Sequence, residues 1–272
     1  MSKTERFFEM KRRGDPIAVL TAYDAPTAGA EAEAGVDILL VGDSVGANVL
    51  GYASERDVTL ADMRHHVAAV RRGAPDAVII GDLPFETYGG AEIAIASARA
   101  LIGAGADIVK FEGADVAVLK ALCDAGIEVC CHLGLEPQTH AEKRLKGRSA
   151  QEAAKLLADA IRLDAAGMKM LVLEMIPEEV AAEITRAVRA PTIGIGAGRR
   201  TDGQVLVMTD VLGFGGRNFR HNRRYQEVGR LMRDAASAYA RDVHDGDFPA
   251  EENLVHMAPD ELELFMAARA GV

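Results

Sequence analysis

The sequence predicts a (β/α)₈ barrel, and three observations carry that reading. Short β-rich runs alternate with longer alanine-rich stretches of helical period, the pattern of βαβ units with a parallel sheet. Most helical stretches run into a glycine shortly before the next strand, a C-terminal stop signal. Seven such units, with an eighth expected around 213–222, fill a chain of 272 residues. That is the ordinary size of an eight-unit barrel and more strands than an average open sheet holds. A doubly wound open sheet is the competing architecture.

The elements follow in order. "IAVLTAYD" (17–24) is the first strand and leads into the helix "APTAGAEAEAG". "DILLVGDS" (37–44) precedes "TLADMRHHVAAVRRG", and "AVIIGDLP" (77–84) precedes "GAEIAIASARALIGAG". "DIVKFEG" (107–113) is followed by "ADVAVLKALCDAG", and "EVCCHLGL" (128–135) by "SAQEAAKLLADAIRLDAAG". "KMLVLEMI" (169–176) is followed by "PEEVAAEITRAVRA", after which "PTIGIGAG" (191–198) closes the clear series. From 223 onward a long amphipathic helix and a shorter one, "PDELELFMAARA", are expected. The chain therefore reads as one barrel domain over 1–272, with 223–272 as a C-terminal helical extension that caps the barrel or reaches a neighbouring subunit.

Bulk properties narrow the partners. Hydrophobic residues make up 49% and charged residues 26%, normal for a soluble protein with a substantial core. A formal net charge of −10 repels a phosphate backbone, so no nucleic acid is expected. The charged N-terminus lacks the apolar core of a secretory signal and no run approaches membrane-spanning length, so the expectation is a cytoplasmic protein with no membrane partner. Cys130 and Cys131 are neighbours on a strand, point to opposite faces, and read with Cys123 as reduced packing residues.

In such barrels the C-terminal strand ends and the loops after them form the face where active sites sit. Those ends carry Tyr23 and Asp24, Asp43 and Ser44, Asp82, Lys110 with Glu112, His132 and Glu174. A single Asp or Ser there is as readily a helix cap. Charges inside apolar runs resist that explanation, because an unpaired buried charge is costly. Lys110 and Glu112, two apart on one strand, should face the same way.

The residue types then define a chemistry. Asp43, Asp82 and Glu112 suit a hard cation with oxygen ligands, and magnesium often takes only one or two protein carboxylates directly. His132 alone does not make a zinc site. A divalent ion with open positions can chelate a small-molecule 2-oxo acid, draw charge from its carbonyl and acidify the neighbouring carbon. Lys110 would offset charge on the enolate oxygen and Ser44 would hold the substrate carboxylate. Glu174, flanked by "LVL" and "MI", is expected to be the driest carboxylate, and desolvation strengthens it as a general base.

Eleven strings in order, among them "TAYDAP", "LLVGDSVG", "GDLPF", "GADIVKFEG", "CHLGLEPQ", "LVLEMIP", "PTIGIGAG" and "TDGQVLVMTDVLG", resemble the ketopantoate hydroxymethyltransferase family from about residue 17 to about residue 250. The resemblance implies a barrel of the phosphoenolpyruvate/pyruvate group. It implies transfer of a hydroxymethyl group from 5,10-methylenetetrahydrofolate to 3-methyl-2-oxobutanoate, giving ketopantoate in pantothenate synthesis. Carried over by motif, Asp43 and Asp82 are magnesium ligands, and Glu112 belongs to the metal's water shell. Ser44, Lys110 and His132 lie on the substrate, and Glu174 is the proton acceptor. Large ring-like homo-oligomers, a decamer in the family, are implied as well.

The sequence also departs from that family. "GYASERDVT" puts Glu55, Arg56 and Asp57 where small and apolar residues are usual. The loop over 139–149 is shorter and lacks a Gly pair, and Thr209 replaces a common His. These loops should border the active-site mouth, so a second reading stands beside the first: another magnesium-dependent 2-oxo acid C–C lyase or decarboxylase of the same barrel group. "GIGAG" lacks the full dinucleotide spacing and reads as a strand end that allows close backbone approach.

Overall fold

A computed structural model of the chain describes residues 3–139, 145–214 and 220–269. Eight parallel strands pair in chain order, and the last closes on the first. They are β1 (Ile17–Thr21), β2 (Ile38–Val41), β3 (Val78–Asp82), β4 (Ile108–Glu112), β5 (Val129–Gly134), β6 (Met170–Glu174), β7 (Thr192–Ile195) and β8 (Gly203–Leu206). Outside them lie α2 (Ala25–Glu33), α3 (Leu60–Gly73), α4 (Ala91–Ala104), α5 (Val116–Asp124), α6 (Ala150–Ala166) and α7 (Glu178–Ala187), each after its strand. The expected barrel is present.

Strand alternation divides the core in two. Ile38, Leu40, Ile80, Ile108, Met170 and Val172 fill the barrel interior, while Leu39, Val109, Phe111, Leu171 and Leu173 pack outward against the helices. Cys130 faces in and Cys131 faces out, both buried and unbridged. The inward parity of β3 to β6 continues to Asp82, Lys110, Glu112, His132 and Glu174 at the strand ends. One periodicity therefore packs the interior and delivers polar groups to its rim.

Two elements differ from the sequence expectation. The eighth strand is "GQVL" at Gly203–Leu206, not a unit around 213–222, of which 215–219 lies outside the described residues. A βαβ pattern hides it, because only residues 196–202 separate β7 from β8 and they contain no helix. Gly203 makes the closure possible: a Cβ there would stand 2.4 Å from the Ile17 carbonyl oxygen. The second difference is α1 (Glu5–Arg13), whose Phe7 is fully buried in the interior cluster. Lys11 on that helix bonds the carbonyls of Thr185 and Ala190 at 2.8 and 3.1 Å and Asp202 at 2.9 Å, so α1 plugs the end of the barrel opposite the polar rim.

Beyond the short α8 (Met208–Val211), the expected C-terminal helices are α9 (Val228–Asp245) and α10 (Pro259–Arg269). Both are largely exposed, including Leu231, Met232, Tyr239, Leu264 and Phe265. No described helix is long and apolar enough to cross a membrane.

Candidate active site

The rim is built from paired strand ends. In the β3–β4 register Asp82 lies opposite Lys110, and in β4–β5 Glu112 lies opposite His132. Lys110 Nζ stands 2.9 Å from Asp82 Oδ2, and the backbone N–H of Asp43 donates to the same oxygen at 3.2 Å. Asp43, Asp82 and Lys110 thus form one contact group. Asp82 Oδ1, buried, has no hydrogen-bond partner among the described residues.

Glu112, His132 and Glu174 form a second group. His132 Nδ1 lies 3.9 Å from Glu112 Oε1 and Nε2 lies 3.3 Å from Glu174 Oε2. Neither approach meets hydrogen-bond geometry, so both buried ring nitrogens lack a hydrogen-bond partner among the described residues. Gln138, in the loop after β5, joins the groups. Its Nε2 donates to Asp43 Oδ2 at 2.7 Å and its backbone N–H donates to Glu112 Oε2 at 3.0 Å.

Burial and charge set the proton affinities. Burial, then Asp82, raises Asp43 to about 6. Burial raises Glu112 to about 8, although His132 and Lys110 pull it down. For Lys110 burial acts downward, but Asp82, Asp43 and Glu112 outweigh it and hold the ammonium well above its ordinary value. For His132 burial also acts downward, and the neighbouring Glu174 and Glu112 turn the net shift upward. One fixed lysine cation serves three buried carboxylates, an excess of negative charge that a divalent cation would compensate.

Of the sequence candidates, Asp43, Asp82, Lys110, Glu112 and His132 are all buried at this rim. Ser44 joins them through Tyr23, whose hydroxyl lies 2.8 Å from Ser44 Oγ. The imidazole Nδ1 of His66 lies 2.6 Å from the Tyr23 carbonyl, which anchors that residue from behind. Asp24 behaves otherwise: its carboxylate accepts from the Thr27 N–H at 2.8 Å and caps α2. Glu174 is not the driest carboxylate. Its side chain is 22% exposed against 1% for Glu112, because it ends β6 at the mouth of the barrel.

The donor set fits an oxygen-ligated ion of low protein coordination. Among the described residues no group of three His, Cys, Asp or Glu side chains is assembled around a metal position. Gln138 occupies Asp43 Oδ2 and Lys110 occupies Asp82 Oδ2, which leaves one oxygen on each aspartate. Two direct carboxylates with waters elsewhere is a coordination magnesium commonly adopts. Sequence reasoning missed Gln138 and Tyr88, whose hydroxyl donates to Gln138 Oε1 at 2.5 Å. Both lie in loops, where no periodicity marks a residue as buried.

Comparison with known proteins places the chain among relatives. A family profile described as ketopantoate hydroxymethyltransferase matches residues 2–251. A Roseiflexus protein named 3-methyl-2-oxobutanoate hydroxymethyltransferase is 48% identical over 264 residues, 94% of each chain. A Thermus thermophilus protein of the same name is 44% identical over 260 residues, 93% of this chain and 99% of its own. Among solved structures, phosphonopyruvate hydrolase with oxalate and Mg²⁺ aligns at a TM-score of 0.63 with 11% identity, covering 99% of this chain and 97% of its own. 2,3-Dimethylmalate lyase, a member of the PEP mutase/isocitrate lyase superfamily, aligns at 0.60 with 17% identity, covering 100% and 99%. At those identities the structural matches show the shared barrel.

Proposed function

The chain belongs to the ketopantoate hydroxymethyltransferase family, and from that premise we propose that it makes ketopantoate from 3-methyl-2-oxobutanoate with magnesium and 5,10-methylenetetrahydrofolate. The enzyme is a one-carbon transferase of pantothenate biosynthesis. The observation that carries the reading is the shared inward register of Asp82, Lys110, Glu112, His132 and Glu174.

Asp43 and Asp82 would hold the magnesium directly, with Glu112 reaching its water shell. Bound there, the ion supplies Lewis acidity to the chelated 2-oxo acid and makes its C3 proton removable. Ser44, braced by Tyr23, receives the substrate carboxylate. Lys110 balances negative charge as it develops on the keto oxygen. Glu174 accepts the C3 proton, with His132 beside it at 3.3 Å; water opens the two C–N bonds of the folate's methylene bridge, leaving tetrahydrofolate and formaldehyde, and C3 adds to that carbonyl carbon, whose oxygen takes up a proton and becomes the new hydroxyl.

Exchange of the C3 proton of 3-methyl-2-oxobutanoate for deuterium tests the first half. It should require magnesium and proceed without folate, and adding methylenetetrahydrofolate should yield ketopantoate. Absence of exchange with magnesium present would overturn the reading.

The loop after β2 favours one alternative. Ser54 and Asp57 cap a turn at Glu55–Asp57, and the Arg56 guanidinium stacks 4.1 Å over Phe85 in the loop after β3. That arrangement sets residues that depart from the family pattern close enough for Glu55 to act on Asp43, and another magnesium-dependent 2-oxo acid C–C lyase or decarboxylase would show exchange without folate-dependent product. The exposed apolar side chains of α9 and α10 support a homo-oligomer, with 223–272 as an extension of a one-domain barrel.

A further inference from the structure

Gln138 is 1% exposed, and its side-chain hydrogen-bonding capacity is committed within the site. One amide hydrogen goes to Asp43 Oδ2 at 2.7 Å and the other to the Leu83 carbonyl at 3.1 Å. The amide oxygen accepts from the Tyr88 hydroxyl at 2.5 Å, and the backbone N–H holds Glu112 Oε2 at 3.0 Å. A carbonyl can only accept, so the nitrogen must face Leu83 and Asp43, and the amide has a single allowed orientation. Tyr88 reinforces it. Burial raises the phenol's proton affinity, which keeps the hydroxyl a donor.

The symmetry with Lys110 gives this network its meaning. Lys110 takes Asp82 Oδ2 and Gln138 takes Asp43 Oδ2, so a fixed donor locks each aspartate by one oxygen and leaves the other for an ion. Without the amide, Asp43 would keep its charge and its neighbour but lose its rotamer lock. Resting on the magnesium reading above, we propose that Gln138 is a positioning residue that presets Asp43 for the divalent cation, and that Tyr88 acts through it by fixing the amide. The segment around Gln138 is thereby tied to the cation site.

Mn²⁺ titrated into the full-length protein, with free ion followed by electron paramagnetic resonance, tests this directly. Gln138→Met keeps length and removes both donors, while Tyr88→Phe removes only the hydroxyl. Removing an outer partner of a metal ligand typically weakens affinity about 10- to 100-fold, and that loss is expected for Gln138→Met. Tyr88→Phe should weaken binding severalfold. The double variant should bind no more weakly than Gln138→Met alone, because the hydrogen bond that ties the phenol to Asp43 runs through the Gln138 amide. Parental affinity in Gln138→Met, or losses that multiply in the double variant, would overturn the inference and leave the cation reading standing. A parent protein that binds no Mn²⁺ would remove both. Should Gln138→Met fail to fold, an unchanged affinity in Tyr88→Phe overturns the inference by itself.

Discussion

Lys110 Nζ lies 2.9 Å from Asp82 Oδ2, with side chains only 6% and 3% exposed. Because the pair shares a ladder position on adjacent strands, neither side chain can reach solvent by a rotamer change. Removing one partner of a buried pair leaves an uncompensated charge, which costs about 3–5 kcal/mol. Lys110→Met should therefore destabilise the fold by that order in urea denaturation, beyond any loss of activity. If stability stays within about 0.5 kcal/mol, as for an ordinary surface change, the pair is not a structural element of the rim.

Glu31 on α2 gives the second prediction, far from the chemistry. It is 1% exposed and neither carboxylate oxygen has a hydrogen-bond partner among the described residues. Burial, then repulsion from Asp24, raises it from 4.5 to about 8. The folded state thus holds a proton that the unfolded chain releases. The stabilising contribution is fully present below about pH 4.5 and is lost as the pH rises through about 8. Glu31→Gln should remove this dependence. The variant should be on the order of 2 kcal/mol more stable than the parent at pH 9 and close to it at pH 5, read from denaturation at the two pH values.

These two residues also show what the sequence makes legible. Strand period two announced Lys110 and Glu112 on one face, and the same parity extended to Asp82, His132 and Glu174. Glu31 was silent because an alanine-rich helix with a weak apolar face does not reveal which side meets its neighbour. Gln138 and Tyr88 were silent because loop burial depends on how separate loops fold over one another. β8 is hidden because it follows β7 without a helix, and apolar neighbours in sequence overstate the dryness of Glu174 because it ends β6 at the mouth of the barrel.

Gly134 ends β5 with φ at 112°, and a Cβ there would stand 2.1 Å from the Glu174 carbonyl oxygen and 2.9 Å from Ile176 Cγ2. The strand β6 runs that close because the Leu135 N–H donates to the same carbonyl at 2.9 Å. Gly134→Ala must push the end of β6 away and also strain the backbone. It should cost about 2 kcal/mol or more in stability and slow C3 proton exchange, with the loss in rate rather than in KM for the oxo acid. A variant with parental exchange would show that Glu174 tolerates displacement at its own backbone.

Glu174 itself yields the sharpest test, because its position at the mouth separates two roles. A structural carboxylate would be buried and paired, whereas this side chain is 22% exposed and, among the described residues, its charged neighbour is His132, with Nε2 at 3.3 Å. Glu174→Gln should therefore leave the melting temperature nearly unchanged. A general base contributes typically 10²–10⁴-fold, so deuterium exchange at C3 should fall by about that factor while binding of the oxo acid persists. Glu174→Asp keeps the base but withdraws it by one methylene, and should retain more exchange than the amide. Equal exchange in the Gln variant and the parent, measured by proton NMR in deuterium oxide, would move the base to another residue, with His132 the next group in reach.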